Sequence, residues 1–310
     1  MITKIATKNR DEWKSLRRDY IGGSDAASVI GLNPYKSAYS LWAEKTGKLP
    51  EFEGNLATDV GTYMEDFIAK LFEKETGKKV RRESRSILND KYPWAIANYD
   101  RLIVGEDAGL ECKFTDSLNL KKYKNGEYPE RFYTQCVHYL AVSGKKRWYL
   151  AVLIGNKDFK WFCIERDEEE IAALMGEEEK MAVCIKTNTP PAVDGMRSTS
   201  DAISTIYPDS DGDTVGLMAY ETDLMQYLAL KAQIEALTEQ QNAAANRVKA
   251  FMNTAGRGES NRYKVSWSTS VKKTFDTKEF AADHKEIDLN KYYKTSSYRT
   301  FKVSERGEKQ

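Results

Sequence analysis

The sequence predicts an α/β domain with a central mixed β-sheet flanked by helices, followed by a smaller α+β extension. Two observations carry this prediction. Apolar residues recur at helical spacing through much of residues 9–76, whereas residues 78–114 shift towards the alternation of polar and apolar residues that is typical of strands. A helical pattern returns at about 130–143. The order α, then β, then α is typical of a mixed sheet with helices on its faces.

Composition narrows the class of protein. The 310 residues are 41% hydrophobic and 31% charged, with a net charge of +1, which predicts a soluble globular protein with a core. The sequence has no apolar run near the ~20 residues of a membrane span, and its first residues are polar, so we expect a cytoplasmic protein without a membrane partner. Its four cysteines lie far apart, which argues against a zinc site or a disulfide framework.

Four helices are predicted in the first quarter of the chain. They cover residues 9–19, a segment from an N-cap at Ser24 to Gly31, residues 37–47, and residues 58–76. Thr58 or Asp59 is the expected N-cap of the last of these helices, and Gly77 is expected to end it. Gly61 precedes Glu65 by one turn of this helix, and a residue without a side chain lets a strand or a ligand approach closely.

Strands are predicted over residues 78–88, 94–104 and 108–114. A helix at 130–143, a hairpin of strands 147–154 and 159–165, and a helix at 167–187 complete the domain. We therefore place the core domain at residues 1–189 and a linker or irregular loop at 190–215. Residues 216–310 form the extension, with a helix at 216–253 and strands at 262–275 and 298–304. That long helix is expected either to mediate oligomerisation or to pack on a core of its own.

The most informative segment is Asp100 followed by Glu111, Cys112 and Lys113. Side chains at i and i+2 of a strand share a face, so Glu111 and Lys113 point the same way. Asp100 closes the preceding predicted strand, and pairing of the two strands would bring its carboxylate to Glu111. Two carboxylates and one backbone carbonyl form an oxygen-rich site suited to Mg²⁺. A strand with a charged outer face would show the same spacing, so this motif alone is not specific.

Two further groups of residues are candidates for the same site. Two glycines, Gly22 and Gly23, precede Ser24 at a predicted helix start, which together with Arg17 makes a pocket for one phosphate. Gln135 and Tyr139 share one face of a helix, where they could hold a phosphate or an attacking water. Taken alone, the Gly-Gly-Ser segment favours an ordinary N-cap, and Glu65 taken alone favours an exposed carboxylate on the surface of its helix.

Taken in order, these segments resemble one family. The matching words are RRDYIGGSDAASVIGLNPYKSAYSLWAEKTGK (17–48), GTYMEDFIAKLFEKETGKKV (61–80), ANYDRLI (97–103), LECKF (110–114) and QCVHYLAVSG (135–144). They are similar to those of the YqaJ-type viral recombinases, which look like lambda exonuclease and have the PD-(D/E)xK, or restriction-endonuclease-like, core. The resemblance covers roughly residues 10–187.

The resemblance implies a role for each candidate residue. Asp100 and Glu111, with the carbonyl of Cys112, would bind a metal ion beside the catalytic Lys113. Glu65 would support a second ion, Gln135 would orient the nucleophile, and Tyr139 would support Gln135. Arg17, or Arg18 in its place, would bind a terminal 5′-phosphate together with Ser24.

The implied activity is Mg²⁺-dependent degradation of linear duplex DNA from its 5′ ends, with Mn²⁺ able to substitute and two ions in each site. The 3′ tails produced imply a RecT-like single-strand annealing protein as a partner, and lambda-like relatives form a trimeric ring. An endonuclease with the same core, or a non-catalytic DNA-binding or assembly protein, is the alternative. The chain departs from the family pattern at Arg101, where many relatives have Gly, and residues 190–310 have no counterpart in the shorter lambda-like enzymes.

Overall fold

A computed structural model describes residues 1–50 and 52–305, in two compact units. The first unit is Met1–Tyr207, and the second begins at Pro208. The elements of the first unit are β1 (Ile2–Ile5), α1 (Arg10–Arg18), β2 (Ile21–Gly22), α2 (Gly23–Val29), α3 (Ala38–Lys45), α4 (Leu56–Thr76), β3 (Val80–Arg81), β4 (Ser86–Asn89), β5 (Tyr92–Ala97), β6 (Arg101–Ile103), β7 (Ala108–Thr115), a 3₁₀ segment (Ser117–Gly126), α5 (Glu130–Ser143), β8 (Arg147–Ile154), β9 (Asp158–Glu165), α6 (Glu168–Lys186) and α7 (Arg197–Ile206).

The strands of the first unit form two sheets instead of the single sheet predicted. One sheet has the order β3-β6-β7-β8-β9, with β7 and β8 parallel and the other neighbours antiparallel. The second sheet has the order β1-β4-β5-β2, with β2 parallel to β5. The predicted strands 78–88 and 94–104 were wrong as continuous strands, because each breaks in the middle and contributes one half to each sheet. The α/β class with mixed sheets and flanking helices is confirmed.

The core lies on both faces of the central strands β7 and β8. Ile68 and Phe72 of α4 pack with residues of β7 and β8 on one face, and the apolar side of α5 packs on the other face around Trp148. A Cβ at Gly109 would lie 2.2 Å from the ring of Trp148, so only glycine fits beneath this indole. This packing fixes the position of β7, the strand that carries Glu111 and Lys113.

Two predicted helix caps were wrong. Ser24 lies inside α2, whose N-cap is Gly22. The backbone N–H of Gly22 donates to the side chain of Asp25, so Asp25 and not Ser24 makes the side-chain contact at the start of this helix. The N-cap of α4 is Asn55, whose side chain accepts the N–H of Thr58 at 3.1 Å, so the helix begins before Thr58 and Asp59. Asn is as good an N-cap residue as Asp and a better one than Thr, so the helix begins at the upstream Asn. The predicted end of α4 at Gly77 is confirmed by its left-handed conformation.

The predicted linker over residues 190–215 contains the helix α7. Its Thr199 hydroxyl donates to Ser37 at the N-terminus of α3, and Ser40 of α3 donates to the backbone carbonyl of Ser198. These contacts make α7 part of the first unit, which therefore extends beyond residue 189 to Tyr207. The Ser- and Thr-rich composition suggested a linker, but the same hydroxyl groups hydrogen-bond to α3.

The second unit contains a 3₁₀ turn (Met218–Tyr220), α8 (Glu221–Met252), β10 (Arg257–Glu259), β11 (Lys264–Ser266), α9 (Thr277–Asp283) and a 3₁₀ turn (Leu289–Tyr292). The predicted long helix is confirmed. The strand predicted over 262–275 was mostly wrong, since only Lys264–Ser266 pair, with β10. Residues 298–304 form no strand. Throughout the part of the chain that the structure describes, no helix is long and apolar enough to span a membrane.

Candidate active site

A cleft of about 250 Å³ collects the candidate residues of the sequence in one place. The lining combines residues of α1, α2, α4, β7 and α5, which are distant in sequence. Nine sequence-predicted residues line it: Arg17, Ser24, Glu65, Asp100, Glu111, Cys112, Lys113, Gln135 and Tyr139. The structure therefore brings all of them together.

Strand β7 places Glu111 and Lys113 on the same face, as their i, i+2 spacing predicted. The ammonium Nζ of Lys113 lies 2.5 Å from Oε1 of Glu111. Glu111 is only 2% exposed, because β7 runs through the middle of the five-stranded sheet. Its carboxylate is thus held in a buried position next to one cation.

Asp100 reaches the site by a different route from the one predicted. It precedes β6 instead of closing a strand, and its Oδ2 accepts the backbone N–H of Cys112 at 2.7 Å. Pairing of β6 with β7 extends only to Arg101 opposite Leu110, so Cys112 lies beyond the end of β6. The N–H and C=O of one strand residue face the same side. The carbonyl of Cys112 therefore faces the side on which Asp100 lies.

Burial in the cleft, together with the neighbouring charges, shifts the pKa values of its carboxylic acids upward. Burial and then the charge of Asp100 raise the pKa of Glu111 to about 8. The same two causes raise the pKa of Glu65 to about 7, and burial also raises the pKa of Asp100. Burial opposes the charged form of Lys113, but Glu111 and Asp100 outweigh it and raise the pKa of the ammonium. Closely spaced acids with raised pKa values are typical of functional sites.

The donor set of the cleft fits a hard divalent cation. Oε2 of Glu111 is buried and has no hydrogen-bond partner among the described residues, although a buried carboxylate oxygen normally has one. A cation next to Asp100 and Glu111 would satisfy this atom and offset their mutual repulsion. Nowhere in residues 1–50 and 52–305 do three His, Cys, Asp or Glu side chains group closely enough to hold an ion by themselves. The fit therefore depends on two carboxylates and the carbonyl of Cys112.

Helix α5 adds an amide and a phenol to the cleft. Nε2 of Gln135 donates to Oε1 of Glu111 at 2.7 Å and to the hydroxyl of Tyr139 at 2.8 Å. Both side chains are buried, so the amide has a fixed orientation next to the carboxylate. His138 points away from the cleft and bonds to Glu178 and to the carbonyl of Ile96, so its contacts are structural.

The predicted phosphate pocket lies at the α1–α2 end of the cleft. Nη2 of Arg17 donates to the hydroxyl of Ser24 at 2.8 Å, and its guanidinium stacks on Trp13. Arg18 does not line this cleft but a neighbouring one, which also contains Arg17 and Ser24. Of the two arginines left open by the sequence, Arg17 is therefore the better placed.

Several residues around the cleft were missed by reasoning from the sequence. Trp13 and Asn98 line it and are joined by a hydrogen bond of 3.2 Å, and a signal was available because Asn98 lies two residues before Asp100. Asp25 pairs with Lys45 at 2.9 Å beneath Arg17. The prediction that another strand approaches Gly61 closely was wrong. Among the described residues, no neighbouring atom lies within 4 Å of the position that a Cβ of Gly61 would take.

The unusual Arg101 next to Asp100 is also explained by the structure. Its side chain is 5% exposed, donates through Nη1 to the carbonyl of Asp100 at 2.5 Å, and pairs with Asp66 of α4. The arginine therefore does not line the cleft and ties the Asp100 peptide to α4.

Comparison with known proteins decides the family. A family model described as the YqaJ-like viral recombinase domain matches residues 12–146. A protein of Bacillus subtilis (strain 168), described as uncharacterized protein YqaJ, is 36% identical over 311 residues, which span 98% of this chain and 97% of that protein. The chain belongs to the YqaJ-like viral recombinase family. Protein D345L of African swine fever virus (strain Badajoz 1971 Vero-adapted) is 44% identical over 63 residues, 20% of this chain and 18% of that protein.

A solved structure supports the fold. The alkaline exonuclease LHK-Exo of Laribacter hongkongensis is 20% identical and superimposes with a TM-score of 0.51, over 58% of this chain and 94% of that one. The predicted family and fold class are confirmed. Because YqaJ-like recombinases are metal-dependent nucleases that act on DNA, the predicted enzyme class, a metal-dependent deoxyribonuclease, is confirmed as well. The roles of individual residues stay predictions.

Proposed function

We propose that this chain is a Mg²⁺-dependent 5′-to-3′ exonuclease that degrades linear duplex DNA and leaves 3′ single-stranded tails. The observation that carries the proposal is the single cleft in which a carboxylate–lysine cluster and the Arg17–Ser24 pair lie side by side. The first group suits hydrolysis of a phosphodiester, and the second suits recognition of a terminal phosphate. An enzyme with both would act at an end in preference to the interior of a strand.

In this proposal Asp100, Glu111 and the carbonyl of Cys112 hold one ion, and Glu65 contributes to a second. Every donor is an oxygen atom, which favours Mg²⁺ and allows Mn²⁺. Bound ions supply Lewis-acid chemistry, which activates the attacking water and stabilises charge on the reacting phosphoryl group.

The remaining side chains orient the reactants. The ammonium of Lys113 donates hydrogen bonds to the attacking water or to a phosphoryl oxygen, and its charge offsets the negative charge that develops there. Gln135 is held by Tyr139 and presents its amide next to Glu111, where it orients the water. Arg17 offers a fork of N–H donors to a terminal phosphate, and Ser24 offers a hydroxyl group.

The assembly and the partner follow from the family resemblance. We propose that the 3′ tails pass to a RecT-like single-strand annealing protein, and that the enzyme assembles as a homo-oligomer, with the trimeric ring of lambda-like relatives as the working arrangement. A ring around the duplex would keep the enzyme on its substrate between successive cuts.

The experiment that tests the function compares three substrates with Mg²⁺, with Mn²⁺ and with chelator: linear duplex with a 5′-phosphate, linear duplex with a 5′-hydroxyl, and closed circular duplex. We expect rapid loss of the phosphorylated linear DNA, slower loss of the hydroxyl form, and an intact circle. Nicking of the circle would contradict the proposed exonuclease activity and indicate an endonuclease. Absence of cleavage under every condition would leave a non-catalytic DNA-binding or assembly protein.

A matched pair of variants tests the phosphate pocket. Arg17→Ala should abolish the preference for 5′-phosphate over 5′-hydroxyl ends, because it removes the donor that lies beside Ser24. Arg18→Ala removes the same charge one residue away and should keep the preference. The opposite result would assign the phosphate to Arg18.

A further inference from the structure

The long helix α8 of the second unit carries an exposed apolar seam. Leu230, Ile234, Leu237, Val248 and Phe251 are between 45% and 90% exposed, and Gln241 and Ala244 are exposed with them. Tyr227 begins the seam and also contacts the ring of Phe301. The full seam is Tyr227, Leu230, Ile234, Leu237, Gln241, Ala244, Val248 and Phe251.

The spacing of the seam points to a second helix as its partner. The steps alternate strictly between three and four residues, an average of about 3.5, which is the a and d pattern of a coiled coil. A helix that packs on a globular core carries a broader apolar stripe with a period of about 3.6. The narrow seam of α8 therefore suits a straight partner helix that follows it along its whole length.

Within the described residues, this chain has no other helix that is long enough to pair with α8 along its whole length. α8 has 32 residues, whereas α4 and α6 have 21 and 19 and bury their apolar faces in the first unit. A helix of the same length and the same repeat is present in every other copy of the chain.

Parallel pairing of two identical helices places each seam residue opposite itself. Gln241 is the one strongly polar residue at an a or d position, and in this arrangement its amide meets the same amide of the other copy. An antiparallel arrangement would set Gln241 opposite a d position, where apolar residues predominate, and leave a buried amide without a matching partner.

The residues that flank the seam agree with parallel self-pairing. In register, the exposed or half-buried flanking positions that meet are Gln226 with Lys231, Gln233 with Thr238, and Gln240 with Ala245. None of these pairs joins two like charges, which would destabilise the association. We propose that α8 forms a parallel coiled coil with α8 of a second copy of this chain.

The first test measures the mass of the full chain in solution by light scattering after size exclusion. We expect a multiple of the 35.4 kDa chain mass for the wild type and a smaller mass for the double variant Ile234→Asn with Leu237→Asn, because the variant loses the contacts that α8 makes. The matched control is Ala232→Asn with Ala236→Asn, which places the same amides on the outer face and should leave the mass unchanged. Thermal unfolding followed by circular dichroism checks that both variants remain folded.

The second test determines the direction of pairing. A cysteine at position 237 lies opposite itself only in the parallel arrangement, so Leu237→Cys should give a covalent dimer on mild oxidation. Ala236→Cys on the outer face should give none, and both variants carry Cys163→Ser, which removes the exposed native thiol. A monomeric wild type, or an unchanged mass in the seam variant, would overturn the proposal. An associated chain in which Leu237→Cys does not cross-link would overturn the parallel arrangement.

Discussion

Replacement of Gly23 by alanine should disturb both the stability of the fold and the geometry of the cleft. A Cβ at Gly23 would lie 2.6 Å from Cε1 of Tyr139 and 3.2 Å from Cγ of Gln135, whereas carbon atoms normally stay about 3.5–4.0 Å apart. The ring of Tyr139 cannot move away freely, because it packs against Tyr99 and Trp148. Helices α2 and α5 must therefore separate by roughly 1 Å at this contact.

Overpacking of this kind costs about 1–3 kcal/mol of unfolding free energy, or roughly 2–12 °C in melting temperature for a unit of this size. The displacement of Gln135 next to Glu111 should lower the rate of DNA hydrolysis by roughly 10²-fold, the effect of a misplacement of about 1 Å. Thermal unfolding and single-turnover cleavage measure the two effects.

Gly176→Ala is the matched control. Gly176 lies in the middle of α6 with nothing within 4 Å of its Cβ position, so alanine there should stabilise the protein by about 0.5–1 kcal/mol and leave the rate unchanged. A Gly23→Ala variant with wild-type stability and rate would refute the close packing of α2 on α5.

Three further predictions concern the charges of the site. Lys113→Ala should abolish cleavage and spare DNA binding measured with chelator, and retained cleavage would contradict its catalytic role. Mg²⁺ should raise the melting temperature more at pH 9 than at pH 6, because the pKa of Glu111 is raised to about 8 and protons compete with the ion below that pH; equal shifts would contradict this. Burial raises the pKa of Asp25, but Lys45 and Arg17 outweigh it and hold the pKa at about 2, below the ordinary 3.8. Asp25 therefore contributes about 2 kcal/mol above pH 4, which is lost as the pH falls towards 2. The difference in unfolding free energy between wild type and Asp25→Asn should shrink over that range; a constant difference would show that the ion pair does not set it.

The parts of the fold that the sequence predicted depend on local patterns. The apolar stripes of α4 and α5 repeat within a few residues, and Gly77 ends α4 because glycine adopts a left-handed conformation there. The division of residues 78–104 between two sheets was beyond this reasoning. Ile87 pairs with Ala97 in one sheet and Val80 pairs with Ile103 in the other. Nothing in an alternating pattern indicates which of two sheets a strand half will join.

The residues of the candidate site also fall into those that local patterns predict and those that depend on the complete fold. Glu111 and Lys113 were predictable because two residues on one strand share a face whatever the rest of the chain does. Asp100 was predicted by proximity but reached the site from the start of a strand, held by the N–H of Cys112. The Arg101–Asp66 and Asp25–Lys45 pairs were not predictable, because each joins two elements whose contact depends on the complete fold.

The free energy that is needed to bury the acidic side chains of the cleft is itself an argument for a bound cation. Glu111 lies in the buried part of the central strand β7, and burial there favours its neutral form. A carboxylic acid in that position, next to Asp100 and near Glu65, opposes the stability of the fold, and the cations nearby, Lys113 and Arg101, still leave the pKa values of all three acids raised. Apolar residues of similar size would stabilise the sheet better. The combination of three acids and one lysine around a buried oxygen without a partner is therefore best explained by a bound divalent ion, which would make the charged form of each acid the favourable one.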